Sequence, residues 1–311
     1  MNDNGLIVVT GPTAVGKTKL SIELAKRING EIISADSMQV YKGMNIGTDK
    51  ITQEQMDGVR HHLIDILDTD EDFNVFTFKK LADEAIADIK SRGRVPIIVG
   101  GTGFYIQAVL YDIDFTETDI DETYRHALEE IARTKGAEFL HEELRKVDPA
   151  SADSIHANNV KRVIRALEYY NKTGEQISKH NEEERQKKSP YDFRYFVLTD
   201  DREVLYSRID VRVDKMIEEG LEDEMKSLIN KGIDPHSTAM QGLGYREMYD
   251  YVMGNIDLER AVYLIKRNTR HFAKRQLTWF KREKDVRWIN KKEFGRDDKK
   301  VLEEIIRQIN E

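Results

Sequence analysis

Eight residues constrain this chain more than any other feature. Gly11, Pro12, Thr13, Ala14, Val15, Gly16, Lys17 and Thr18 match the spacing G-x-x-x-x-G-K-[ST] in full. Residues 6–10 (LIVVT), just before them, are apolar and β-branched, as a buried parallel strand requires. Residues 19–28, just after, carry helical spacing. A strand, a glycine-bounded loop and a helix in that order form a phosphate cradle. The glycines let backbone N–H groups converge on phosphate oxygens, and the helix N-terminus adds its dipole. Lys17 offers a point charge to the outer phosphate, and the Thr18 hydroxyl can ligate Mg²⁺ beside a phosphate oxygen.

Residues 31–35 (EIISA) and 94–99 (RVPIIV) read as two further strands. Between them residues 76–90 place Phe78, Leu81, Ala82, Ala85, Ile86 and Ile89 on one helical stripe. This alternation predicts an α/β fold, a P-loop NTPase-like parallel sheet flanked by helices. From about residue 112 to 190 only helical runs are visible. Asp148-Pro149 reads as an N-cap with proline at the first helical position. Residues 159–170 are amphipathic, and Gly174 is placed to end that helical segment. Residues 180–189 are polar and read as a mobile loop. A strand returns at 195–199, and long helices are expected over 202–230 and 258–281. The expected organisation is a catalytic core of residues 1–111 and 191–311, with an all-helical insertion domain at 112–190.

A P-loop does not say what happens to the phosphates. The third strand runs into Gly100-Gly101-Thr102-Gly103 without the metal-binding Asp of ATPases and GTPases. Asn171-Lys172-Thr173-Gly174 lacks the Asp that guanine reading would need. The usual hydrolytic apparatus is incomplete, which leaves pyrophosphate as a possible leaving group. Asp36 follows the second strand, where ligands of open α/β sheets bind. It can serve as a general base or merely cap a turn. Thr102 can hydrogen-bond a reacting amine or a phosphate, or cap the helix that follows.

The formal net charge of −8 argues weakly against a nucleic-acid partner, but residues 261–283 are locally basic with aromatics interleaved. Phe272, Leu277, Trp279 and Phe280 of that stretch suit core packing better than base stacking. Lys161 and Arg165, four apart, share a helix face, with Arg162 beside them; they suit phosphate contacts, though a solvated helix face is the commoner use of such a pattern. Arg208 and Arg212 can reach a diphosphate or pair with Asp210 and Asp214. The Gly-rich turn at 241–246 either shapes a loop against substrate or joins two helices. With no cysteine, disulfides, Cys-based zinc sites and a thiolate nucleophile are excluded, and a reducing cytoplasm fits. No apolar stretch approaches a membrane span and no signal peptide is visible. The eight histidines show no metal-ligand spacing.

Four segments taken together, GPTAVGKT at 11–18, ISADSMQVYKGMNIGT at 33–48, VGGTGFYI at 99–106 and AKRQLTWF at 273–280, closely resemble the tRNA dimethylallyltransferase (tRNA isopentenyltransferase) family. Residues 148–170 and 242–248 extend the likeness over essentially the whole chain. The likeness is to the bacterial type, without a cysteine-bearing zinc-finger extension. It implies transfer of the dimethylallyl group of dimethylallyl diphosphate to the exocyclic amine of the tRNA adenine immediately 3′ of the anticodon. It implies that residues 13–18 hold the diphosphate with Mg²⁺ at Thr18, and that Arg212 reaches the diphosphate. Asp36 would take or orient a proton of the amine, with Thr102 on its other side. Asp36, Ser37, Met38 and Gln39 would contact the target nucleotide. Arg125, Lys161, Arg162 and Arg165 would lie against the anticodon stem-loop, gripped by the insertion. A cytoplasmic enzyme acting as a monomer is expected.

Two other enzymes share part of this pattern. An isopentenyltransferase acting on free adenylate would keep the P-loop and the Asp36-type base but would not need the insertion. A P-loop small-molecule kinase would need the metal-binding Asp that is missing.

Overall fold

A computed structural model describes residues 5–114 and 121–311. The chain opens with β1 (Gly5–Thr10), α1 (Lys17–Ile28) and β2 (Gly30–Ala35), followed by the one-turn α2 (Gln53–Met56) and the short β3 (His61–His62). Then come α3 (Val75–Ser91), β4 (Val95–Gly100) and α4 (Gly103–Leu110). Five helices follow: α5 (Glu122–Lys135), α6 (Ala137–Val147), α7 (Pro149–Ser154), α8 (Val160–Thr173) and α9 (Ile177–Gln186). The sheet resumes with β5 (Asp192–Thr199), α10 (Arg202–Glu218), α11 (Leu221–Asn230), α12 (Tyr245–Val252), α13 (Leu258–Phe280), β6 (Val286–Asn290) and α14 (Asp298–Ile309).

Two compact units result: Met1–Leu110 with Pro190–Glu311, and Tyr111–Ser189. In the first, six strands lie in the order β3-β2-β4-β1-β5-β6, all parallel. The P-loop strand β1 is central, between β4 and β5. Ile7, Val9, Ile32, Ile97, Phe196 and Leu198 pack beneath Leu20 and Leu24 of α1 and Val301 and Ile305 of α14. The alternate residues Leu6, Val8, Ile33, Ile98, Tyr195 and Val197 are equally buried on the opposite face, since strand side chains alternate sides. A sheet covered on both faces explains the unbroken apolar runs of its strands.

The sequence expectations depart from this structure at three places. The helix expected over 202–230 is two helices, because Gly220 takes a left-handed φ of 98° and ends the first. The polar stretch expected to be a mobile loop is mostly helix α9. It is anchored through Ser178, whose N–H and hydroxyl both donate to Asp148, and through Glu184, which accepts from the Asp114 N–H. Polar anchors replace the apolar stripe that periodicity looks for. β5 starts at Asp192 rather than 195, where its early residues pair with the start of β1.

The second unit is all-helical, with Leu128, Leu140, Leu144, Ile155, Val163 and Leu167 in its core. Asp148 caps α7 by accepting from the Ser151 N–H, with Pro149 at the first helical position. Gly174, in left-handed conformation, ends α8.

Candidate active site

The P-loop turns sharply out of β1. Gly11 has φ 145°, and a Cβ there would lie 2.4 Å from the carbonyl oxygen of Leu198 on β5. Gly16, at φ 91°, is the N-cap of α1 and brings no side chain to the first-turn N–H groups, which a helix leaves without intrahelical partners. Lys17, at the first helical position, curls back over the loop. Its ammonium donates to the carbonyls of Gly11 (3.0 Å) and Pro12 (2.9 Å). Burial, and then the cation of Arg212, hold its pKa down to about 8, against the pull of Asp36 and Asp49. Arg212 reaches the loop from α10. It donates to Thr13 Oγ1 at 2.9 Å and pairs with Asp49 at 3.0 Å. Two cations therefore converge on one loop, and their mutual repulsion is what an arriving diphosphate would relieve.

Asp36 and Thr102 sit at the carboxyl ends of neighbouring strands. Ala35 of β2 is registered with Gly100 of β4, and a Cβ on Gly100 would lie 2.2 Å from the Ala35 carbonyl oxygen. The Thr102 N–H donates to that same carbonyl at 3.3 Å. Asp36 Oδ1 accepts from the N–H groups of Met38 (2.8 Å) and Gln39 (3.3 Å). The turn role of Asp36 is thus real, but it engages one oxygen only. Among the described residues nothing bonds Oδ2. Gln39 donates to the carbonyls of Thr48 and Asp49 and accepts from Ser34. Ser37 and Met38 lie half-buried on the same turn, with Met38 Sδ against Gly242.

This layout joins a phosphate cradle to a carboxylate and a hydroxyl at adjacent strand ends. The comparisons agree with it. Residues 39–283 match the family model described as IPP transferase. The chain belongs to the IPP transferase family. A tRNA dimethylallyltransferase of Lachnoclostridium phytofermentans is 61% identical over 98% of this chain and 97% of its own length. One from Acetivibrio thermocellus is 51% identical over 96% and 95%. The crystal structure of the full-length tRNA isopentenylpyrophosphate transferase of Bacillus halodurans is similar with a TM-score of 0.70 and 47% identity, covering 99% of this chain and 100% of that one. A eukaryotic dimethylallyltransferase captured acting on tRNA is similar with a TM-score of 0.80 at 32% identity, covering 92% and 74%.

In this IPP transferase chain three further residues complete the site. Gln276 of α13 accepts from the Thr13 N–H and donates to the Gly101 carbonyl. Glu224 of α11 accepts from the N–H groups of Asn45, Ile46 and Gly47 and from the Tyr245 hydroxyl at 2.6 Å. It fixes the loop that carries Asp49. The Gly-rich turn at 241–246 therefore shapes that loop as well as joining helices, since Tyr245 packs against Gly47 and Gly242 against Met38. Lys291 lies beneath the P-loop, donating to the Val15 carbonyl and pairing with Asp298. Sequence reasoning missed all three. Only Gln276 had a signal, its place in the segment AKRQLTWF.

Arg208 is not at the cradle. It pairs with Asp200, which Arg296 also holds, while Asp210 and Asp214 pair with Arg270 and Lys266. Phe280 is core, as expected, and Trp279 packs its ring against Gly103.

In the helical unit Lys161 and Arg162 are exposed on the first turn of α8, and Arg165 is half-buried one turn on. Arg125 is held by a two-pronged bond to Glu168, 2.8 and 3.0 Å, joining α5 to α8. Among the described residues no group of three or more His, Cys, Asp or Glu could hold a metal ion, and no helix is long and apolar enough to cross a membrane. The exposed Thr18 hydroxyl beside Lys17 fits an ion that keeps most of its water and arrives on a diphosphate, which is how Mg²⁺ is usually bound.

Proposed function

We infer that this chain transfers the dimethylallyl group of dimethylallyl diphosphate to the exocyclic amine of the tRNA adenine immediately 3′ of the anticodon, releasing pyrophosphate. One observation carries the reading: the P-loop with Arg212 lies in the same unit, at the same strand ends, as Asp36 and Thr102. The residues 11–18 loop, with Lys17 and Arg212, holds the diphosphate. Thr18 would hold Mg²⁺, which would offset charge on the departing pyrophosphate. The amine nitrogen bonds to the allylic carbon as the carbon–oxygen bond to diphosphate breaks. Asp36 Oδ2 accepts the proton that the amine loses, and Oδ1 stays fixed in its turn. Thr102 orients the amine from the other side. Ser37, Met38 and Gln39 face the target nucleotide. No covalent intermediate is needed, because alignment and leaving-group stabilisation supply the rate.

The adenine belongs to a single-stranded loop, so extruding it costs little. Lys161 and Arg162 crowd the positive end of the α8 dipole, an arrangement that is unfavourable unless phosphate neutralises it. They serve, with Arg165, as contacts to the anticodon stem-loop, and Arg125 contributes chiefly by holding their helix. The enzyme acts as a monomer in the cytoplasm.

The test is label transfer from dimethylallyl diphosphate to tRNA or to AMP, with and without Mg²⁺. Label in tRNA that requires Mg²⁺ supports the reading. Label in AMP alone would replace it with the free-adenylate reaction.

A further inference from the structure

Gln276 is buried on α13, between the fully or nearly fully buried Ala273 and Phe280. A buried amide must satisfy both of its ends or lose stability. Here each end meets a different loop of the site. Oε1 accepts from the Thr13 N–H at 2.9 Å, and Nε2 donates to the Gly101 carbonyl at 3.0 Å. The partners fix the orientation of the amide, since a backbone N–H can only donate and a carbonyl can only accept. A Cβ on Gly101 would lie 2.1 Å from Nε2, so only glycine admits the amide at this depth. The two loops leave β1 and β4 side by side, at Thr10 and Gly100. At the roots of the two loops Thr10 Oγ1 also donates to the Gly100 carbonyl, at 2.7 Å; beyond the roots, among the described residues, Gln276 is the side chain that bonds both.

We propose that Gln276 is a positioning residue that sets the distance between the donor cradle and the acceptor turn. Thr13 belongs to the loop that holds diphosphate, and Gly101 precedes Thr102, which faces the amine. The inference rests on the prenyl-transfer reading above. In that reaction two bound groups must meet at bonding distance, and an error of about 1 Å costs on the order of 100-fold in rate. A clip across the two loops acts on kcat. It leaves donor affinity nearly unchanged, because the phosphate is gripped by Lys17, Arg212 and the rest of the loop.

The experiment measures prenyl transfer to a tRNA anticodon stem-loop by the full chain and by two variants. Gln276→Leu removes both bonds. Gln276→Glu keeps the acceptor for Thr13 but turns a carboxylate oxygen toward the Gly101 carbonyl. When protonated, that carboxyl donates again, and burial against a carbonyl favours the protonated form. At about pH 8.5 both variants are expected to lose roughly 100-fold in kcat, with the donor KM within about threefold of wild type. As pH falls to about 6 the deficit of Gln276→Glu relative to wild type shrinks, while that of Gln276→Leu stays constant. A merely structural role would not produce that recovery. If Gln276→Leu does not fold, the pH series of Gln276→Glu decides alone. The inference is overturned if kcat stays within about twofold of wild type, or if the Gln276→Glu deficit is the same at every pH. A wild-type chain that fails to prenylate the stem-loop would instead remove the proposed function, and this inference with it.

Discussion

The guanidinium of Arg212 donates to Thr13 Oγ1 at 2.9 Å across 199 residues of sequence. The same side chain pairs with Asp49, and its charge helps to hold the neighbouring Lys17 ammonium down to about 8. The cradle thus holds two cations that repel each other, a repulsion that a bound diphosphate would relieve.

This relationship sets the pH dependence of donor capture. As pH rises through about 8, Lys17 loses its proton and kcat/KM for the donor falls. Arg212→Ala lowers kcat/KM at neutral pH by about 10- to 100-fold, through loss of a charge-assisted bond. It also moves the falling limb to higher pH, because the cation that depressed Lys17 is gone. A pH profile of the variant whose limb stays in place would refute the coupling.

In the proposed reaction Asp36 adds a chemical role to its turn role, and one substitution separates them. Asp36→Asn keeps an oxygen for the Met38 and Gln39 N–H groups, so the unfolding midpoint should hardly change. Proton transfer is lost, and kcat should drop by about 100- to 10,000-fold. Calorimetry beside single-turnover transfer checks both halves. Retained activity would make Asp36 a turn residue only.

The buried Glu31 anchors the far edge of the sheet. It takes both guanidinium nitrogens of Arg92, His62 Nε2 at 2.8 Å and Arg94 at 3.4 Å. The Arg92 bond, working against desolvation, holds its carboxyl at about 2 instead of 4.5. Because the folded value is the lower one, this stabilisation is complete above pH 4.5 and disappears as pH falls toward 2. It amounts to about 2–3 kcal/mol. Glu31→Gln should flatten the stability curve across that window and cost a few kcal/mol, about 3, at neutral pH, since the Arg92 charge loses its buried partner. Urea unfolding at several pH values measures it.

Lys161→Ala with Arg162→Ala should pull stability and function apart. Removing two cations from the first turn of α8 relieves the helix dipole and leaves the protein equal to or about 0.3–1 kcal/mol more stable. The KM for tRNA rises, its salt dependence weakens by up to about two phosphates' worth of slope, and the donor KM does not move. An unchanged salt slope would place the stem-loop elsewhere.

The cradle and the central strands were legible because their signals are local. Gly11 to Thr18, β1, β2 and β4 each carry their pattern within a few residues. Strand β3 is two residues long and β6 lies behind the basic helix, so neither shows a period. The break at Gly220 is marked in the sequence by a glycine between two apolar-periodic runs, a signal the continuous periodicity of 202–230 masks. The bonds of Gln276 to Thr13 and Gly101, of Glu224 to residues 45–47 and of Lys291 to Val15 join residues far apart in sequence, and Arg208 pairs with Asp200 outside the i,i+3 and i,i+4 helix spacings. No spacing rule reaches across such gaps. For Arg212 the sequence offers two partners of opposite kind, and family likeness points to the diphosphate; its nearby acids Asp210 and Asp214 turn to α13 instead.

The central strand carries a consequence for how the chain is made. β1 is flanked by β4 on one side and by β5 on the other, and Gly5 finds its partner only at Asp192. On the ribosome, at about 5–20 residues per second, the strand that leads into the P-loop waits on the order of ten seconds or more with one edge bare. The helical insertion, built from neighbours in sequence, is synthesised entirely within that wait and can be complete before it ends. The nascent chain would then own its finished helical unit before its phosphate cradle is flanked by both neighbouring strands, and an apolar strand edge would be exposed to chaperones until β5 emerges.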